Sequence, residues 1–349
     1  MRRLPYSFAL SPDAVTYLGG LEPVQALDRV SNIRRLWKKT GVLVVDSRSE
    51  LRKVYEGQWK ARGFPQGTRK KLEDLFIEMR SRIARDTGWE YSDDDPVPPV
   101  RPSGGTLFVH PASAEDWGLP SGLAASVLAE DVEVCRADCL NVSRWNELED
   151  AVVIQKKAPT KDIVGGLAAM KAVARIATVI DPYCAKEQAV TQGASGLLRF
   201  LEMLAEAPCT LERRLDSVVV YSSKNVPRSQ QDSSTVSAVE IQAAWSAAWP
   251  RLASAGIRSV SLRLVDGRRF GAIAHDRFIS FRDLQTGRWG GLTLQLGGGF
   301  SVFEGKGLSK ETTVSIVSND SFDEIVRSLE AEPSFEASDL EAGKAGTKG

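Results

Sequence analysis

The chain has 349 residues, with 45 Lys and Arg against 45 Asp and Glu, a formal net charge of zero and an apolar content of 42%. That length is enough to bury two cores, and the charge balance excludes holding nucleic acid by bulk basicity, so any polyanion site has to be local. The charged fraction of 26% belongs with globular proteins rather than with disordered chains.

Four cysteines (Cys135, Cys139, Cys184 and Cys209) are few for this length and follow no secretory spacing, so they read as reduced structural thiols. The spacing of Cys135 and Cys139 would suit one helical face, but no second Cys/His pair stands near to complete a zinc set. The N-terminus runs Met1-Arg2-Arg3-Leu4-Pro5 without an apolar h-region, and no run of about 18 apolar residues occurs. A cytoplasmic location and no membrane partner are expected.

Taken in order, Val24, Leu27, Val30, Ile33, Leu36 and Trp37 step by three and four, predicting an amphipathic helix over 22–40 with a basic outer face. Residues 41–47 read as a buried strand ending near Asp46, followed by helix through Trp59. Thr68 is the expected N-cap of a helix carrying Leu72, Leu75, Phe76, Met79 and Ile83 and stopped at Gly88. Residues 91–105, with Asp93-Asp94-Asp95 and four prolines, read as a surface loop. Beyond it come a strand at 107–110, helix-compatible sequence at 122–128 and a strand at 132–142.

From about residue 150 the pattern is more regular. Strands are predicted at 152–154, 177–180, 217–221, 259–265, 272–281, 292–296 and 312–317, and helices at 163–175, 196–204, 236–249 and 322–329. The fold class is therefore α/β: an N-terminal α/β domain over 1–148, then an α/β domain with a mixed sheet over 149–331. The tail over 332–349 is rich in Glu, Ala, Gly and Lys and reads as disordered.

Only two histidines occur, so each can be weighed. His110 precedes a proline at a strand end and reads as a structural imidazole. His275 lies in Ala274-His275-Asp276-Arg277-Phe278-Ile279, where strand alternation places His275 and Arg277 on one face. Asp46 ends a buried strand, as a carboxylate does in metal nucleases of the PIN type, yet no partner carboxylates are identifiable. No metal and no cofactor are expected. Arg29, Arg34, Arg35, Lys38, Lys39, Arg69, Lys70 and Lys71 read as a solvated face, with contact to a nucleic-acid backbone as the alternative.

The series Val179-Ile180-Asp181-Pro182-Tyr183, Val219-Val220-Tyr221-Ser222-Ser223, residues 259–265, His275-Asp276-Arg277-Phe278-Ile279 and Leu296-Gly297-Gly298-Gly299-Phe300 resembles the phospholipase-D superfamily domain. The likeness covers 150–330 and is greatest to divergent bacterial versions, including the domain that follows MIT modules, written around H-D-R-[FY]-[IL]. It implies His275 as a nucleophile toward phosphorus and Arg277 as the cation on the phosphoryl oxygens. Asp181 and Tyr183 at one strand end, with Ser222, Ser223, Lys224 and Asn225 at another, are the implied supporting phosphate-binding residues.

The chain departs from the active pattern of that family. Arg277 stands at its Lys position, Arg282 at its Asp position, and a single motif is present. Catalysis would then need a homodimer pairing two His275 side chains. The expected function is a nucleic-acid-associated component of a bacterial conflict or antiphage defence system, partnered by other proteins of that system, with a degenerate phosphate-binding site. A homodimeric phosphodiesterase or nuclease using His275, and a non-catalytic protein-interaction scaffold, are the alternatives.

Overall fold

The computed structural model describes residues 7–39, 41–61, 65–90, 106–109, 126–129, 132–136, 152–192, 194–207, 211–224, 235–273, 276–282, 292–329 and 335–338. Among these residues the chain is a mixed α/β protein with two sheets.

Strand β1 (Ser7–Leu10) leads into α1 (Pro12–Gly20), where Ser11 accepts a hydrogen bond from the Ala14 amide as N-cap. Helix α2 (Pro23–Lys39) buries Ala26, Val30, Ile33 and Trp37, a stripe at helical spacing. Strand β2 (Val42–Asp46) is buried at every position, as a parallel strand covered on both faces requires. Then follow α3 (Glu50–Ala61), α4 (Gln66–Glu78), β3 (Ile83–Asp86), β4 (Thr106–Val109), β5 (Ser126–Ala129) and β6 (Val132–Arg136). Their sheet has the order β3-β2-β1-β4-β6-β5, parallel except for β5.

Several expectations for this half are corrected. Thr68 does not cap α4; it sits buried in the first turn, and Pro65 holds the cap position. Ile83 leaves the helical pattern and pairs with Leu43, because a parallel partner strand outweighs a periodicity that only happens to continue. The helix-compatible stretch at 122–128 ends in β5, whose Ser126 and Val127 pair with Cys135 and Val134.

The second half holds β7 (Val152–Ile154), α5 (Thr160–Gly165), α6 (Met170–Val173), β8 (Ile176–Ile180), α7 (Cys184–Val190), α8 (Gly196–Glu206), β9 (Ser217–Ser223), α9 (Ala238–Ser254), β10 (Ser259–Val265), β11 (Phe278–Arg282), β12 (Leu292–Leu296), β13 (Thr312–Val317), α10 (Asn319–Ser328) and β14 (Phe335–Ser338). The single helix expected at 163–175 is broken into α5 and α6, and Gly165-Gly166 supplies the weak point. The strand expected from Ala272 begins only at Phe278, after a 3₁₀ segment at Gly267–Ile273. Helix α9 starts with a reciprocal capping box between Ser237 and Glu240.

The second sheet runs β14-β10-β9-β8-β11-β12-β13-β7. Strands β8, β9 and β10 are parallel, while β11, β12, β13 and β7 continue antiparallel. The carboxyl ends of β8, β9, β10 and β12 and the start of β11 therefore share one edge of the sheet. Alternation divides the sheet's apolar side chains between two clusters. Val179, Val220 and Ile279 join the large cluster with α7, α8 and α9, whereas Ile180, Tyr221 and Phe278 join a smaller one with Phe322 of α10.

The two halves are joined at the outer edge of β3. The Glu212 amide donates to Arg85 O at 2.8 Å, and Asp86 forms a β-bridge with Leu211. Lys171 is buried nearby, donating its ammonium to Ala205 O at 3.2 Å and Ala207 O at 2.5 Å. It thereby holds carbonyls at the C-terminal end of α8, where a cation also complements the helix dipole. The boundary expected at 148–149 lies outside the described residues.

The disordered tail expected over 332–349 is corrected at 335–338. Strand β14 pairs antiparallel with β10, from Leu262↔Phe335 to Ser259↔Ser338, and covers what would otherwise be an open sheet edge. Deleting residues 335–349 is expected to lower the melting temperature by about 2–5 °C, the effect of losing roughly 1 kcal/mol of edge pairing. An unchanged midpoint in a thermal melt would show that β14 adds nothing to stability.

Candidate anion site at the strand ends

Strand β8 stops because Pro182 has no amide hydrogen to continue the ladder. Asp181, the last residue paired, donates its amide to Tyr221 O at 3.0 Å. Its carboxylate accepts from the Tyr183 amide at 2.9 Å, closing the turn that starts α7. Register places Phe278 opposite Ile180, so Arg277, just before β11, arrives beside Asp181, just after β8. The main chain of Arg277 is held from the other side, where Leu296 N donates to its carbonyl at 2.7 Å.

Three groups orient the Arg277 side chain. Its Nε lies 3.8 Å from Asp181 Oδ1, and its guanidinium carbon lies 5.1 Å from the centre of the Tyr183 ring. Gly299 forms the third contact: a Cβ there would come within 3.1 Å of Nε, an approach the long Arg277 side chain could relieve by a small shift, so it is the backbone angle, φ +68°, that calls for glycine. The side chain of Arg277 keeps 17% exposure against 3% for that of Asp181, so the cation reaches the surface and its counter-ion does not.

The carboxyl groups here are unusual. Burial pushes Asp181 above the ordinary carboxylate range, opposed by the Tyr183 amide, the Arg277 charge and the Phe300 and Cys184 amides. Glu187, four residues after Tyr183 on α7, is pushed up to about 7 by burial and by the nearby Asp181 and Glu304, against the pull of Arg277 and Lys186. The Cys184 thiol donates to Asp181 O at 3.3 Å and is pushed well above the usual thiol range by burial and by Asp181. It is a structural thiol and not a nucleophile at neutral pH.

The structure brings together Asp181, Tyr183 and Arg277 of the residues singled out in the sequence. Ser222 is fully buried, and its hydroxyl accepts from the Ala185 amide at 3.0 Å, fixing the first turn of α7. Ser223 is buried as well, with its amide on Pro182 O at 3.1 Å. Lys224 stands exposed at the end of β9, anchored by its amide on Val265 O at 3.0 Å. His275 and Asn225 lie outside the described residues, as does His110.

The glycine run builds a turn rather than a phosphate cradle. The amides of Gly297, Gly298 and Gly299 donate to Thr313 O, Thr312 Oγ1 and Leu296 O at 2.9, 2.8 and 3.2 Å. Sequence reasoning missed Glu187, because α7 is a seven-residue helix too short and too Ala-rich to reveal its facing. The spacing of four residues from Tyr183 was the one usable signal.

Elsewhere, Asp46 is fully buried and caps α3, accepting from the Arg48, Glu50 and Leu51 amides. Cys135 lies in β6, so the Cys135/Cys139 spacing is not carried on a helical face. Among the described residues no group of three or more His, Cys, Asp or Glu could hold a metal ion, and no helix is long and apolar enough to cross a membrane. On the basic face, Arg34 pairs with Glu78 at 2.7 Å and Arg69 with Glu73 at 2.9 Å, so part of that charge is neutralised. Comparison with protein-family models, with curated proteins and with solved structures returned no match.

Proposed function

We propose that this protein associates with nucleic acid and holds a backbone phosphate at Arg277 in a degenerate phospholipase-D-like site. Within that reading it serves a bacterial conflict or antiphage defence system, as the family resemblance of residues 150–330 implies. One observation carries the binding assignment: a guanidinium oriented by a carboxylate, an aromatic face and a glycine turn, yet still reaching solvent at the carboxyl ends of parallel strands. Ligands of open α/β sheets gather at that edge, and the planar fork of Arg matches two phosphate oxygens.

Binding without turnover puts most of the attraction on the permanent cation. Arg277→Ala is therefore expected to weaken binding of a labelled single-stranded oligonucleotide about ten- to a hundredfold, and His275→Ala about fivefold. Affinity should also fall steeply between about 50 and 200 mM salt. Fluorescence anisotropy tests both statements. Cleavage of the oligonucleotide that disappears in His275→Ala while binding persists would favour the homodimeric phosphodiesterase instead. If neither variant changes binding, the protein-interaction scaffold is the better account.

A further inference from the structure

Arg277 is the first of three cations that the strand ends set in a row. Asp181, which the Arg277 Nε approaches to 3.8 Å, donates its amide to Tyr221 O at 3.0 Å, so β8 and β9 end side by side. Pro182 O accepts from the Ser223 amide at 3.1 Å, and Lys224, the next residue, donates its amide to Val265 O at 3.0 Å. The end of β9 is thus fastened to β8 on one side and to β10 on the other. After β10 the chain turns tightly: Asp266 Oδ1 accepts from the Arg268 amide at 2.9 Å, and a Cβ on Gly267 would come within 2.9 Å of Ser223 Oγ. Arg268 therefore starts from a main chain held against the end of β9.

Across the sheet the order is Arg277 at the start of β11, then Lys224 at the end of β9 and Arg268 after β10. Lys224 and Arg268 are exposed, and among the described residues neither joins a salt bridge. The carboxylates are placed differently. Asp266 is engaged by the Arg268 amide, while Asp276 accepts from Gln295 Nε2 at 2.7 Å on the β12 side of Arg277. Glu304, also exposed, follows the 3₁₀ segment Phe300–Phe303 that comes after β12. An anion extending from Arg277 thus meets cations toward β10 and carboxylates toward β12.

We propose that these strand ends form a track for single-stranded nucleic acid, which starts at Arg277 and runs over Lys224 to Arg268, away from β12. The inference rests on the phosphate-binding reading of Arg277 and gives its ligand a length and a course. Neighbouring strands lie about 4.8 Å apart, so the three intervals from β11 to β10 span about 14 Å, some four stacked nucleotide steps at about 3.4 Å each. A single nucleotide engages one member of such a row, whereas a strand of four or more engages all three. Tyr183 stands half-buried where the track begins, and an aromatic ring serves unpaired bases, which a duplex keeps stacked inside. Exposed cations this far apart are screened from one another at physiological salt, so each adds its own modest, salt-sensitive share.

The test titrates the full chain with thymidine oligonucleotides of two, four and eight residues and with a duplex of eight base pairs. Affinity is expected to rise about tenfold from the dinucleotide to the tetranucleotide, to change little beyond it, and to be weaker for the duplex. The double variant Lys224→Gln with Arg268→Gln should bind the octanucleotide about tenfold more weakly, yet bind the dinucleotide like the native chain. Its slope of log affinity against log salt should be shallower by about 0.7 for each cation removed. Lys224→Arg with Arg268→Lys keeps both charges and should keep octanucleotide binding, which separates lost charge from a folding defect. Native octanucleotide binding in the Gln pair overturns the track and leaves the Arg277 site intact. Equal affinity for the duplex overturns the choice of a single strand, and binding unchanged at every length in Arg277→Ala overturns the site itself.

Discussion

Gly196→Ala is expected to destabilise the protein by about 3 kcal/mol or more and to lower its melting temperature by roughly 5–10 °C. A Cβ at this position would come within 2.1 Å of Phe300 O, 2.8 Å of Phe300 C and 2.9 Å of Ser301 Cα. All three are main-chain atoms, so no side chain can swing aside and α8 itself must move. The helix is poorly placed to move, because Phe200 packs edge-on against Phe300 and Phe303 with ring centres 5.3 and 5.0 Å apart. The displaced segment begins next to Gly299, which lies against Arg277. Loss of oligonucleotide binding should therefore accompany loss of stability. Denaturant unfolding and anisotropy on one preparation check this, and a native-like midpoint would show that α8 and residues 300–303 are not in close contact.

Which parts of this architecture the sequence announces depends on how many layers bury a segment. The run at β2 was readable because it is buried at every position, and α2 because Val30, Ile33 and Trp37 recur at helical spacing, although Val24 of the expected stripe is exposed and Ala26, outside it, is buried. Strand β1 and helix α7 were missed: four and seven residues leave too few repeats to define a period. Strand β5 was mistaken for helix because its pairing with β6 is a tertiary fact, invisible in local propensity. At the candidate site, the alternation argued for His275, Arg277 and Ile279 assumed a strand that begins only at Phe278, so Arg277 precedes it. That reading could not foresee that β8 ends opposite, bringing Asp181 within 3.8 Å of Arg277 just past the last paired residues, Ile180 and Phe278. The serines at the end of β9 looked like donors to a ligand, but polar residues at a strand end serve helix starts equally well, and Ser222 does so for α7.

Asp46→Ala is expected to cost about 3–5 kcal/mol, a large effect for a residue that touches no ligand. Its carboxylate is fully buried and accepts three main-chain hydrogen bonds, from Arg48 and Glu50 to Oδ2 at 3.1 Å each and from Leu51 to Oδ1 at 2.8 Å. Those donors are among the amides at the entry to α3, which the helix cannot satisfy from within. Placing a negative group there also complements the helix dipole. Removing it leaves the buried Leu51 amide without an acceptor and the part-buried Arg48 and Glu50 amides without theirs, so much of the penalty is that of desolvated donors rather than of a lost surface contact. Asp46→Asn keeps one acceptor oxygen and should cost about 1–2 kcal/mol. If the residue were instead a ligand of a nuclease metal, both variants would melt like the native chain in the presence of a chelator. They would differ from it only when a divalent cation is added. The capping role requires the opposite, a deficit of the same size with chelator and with magnesium, because the bonds lost are to the chain's own amides.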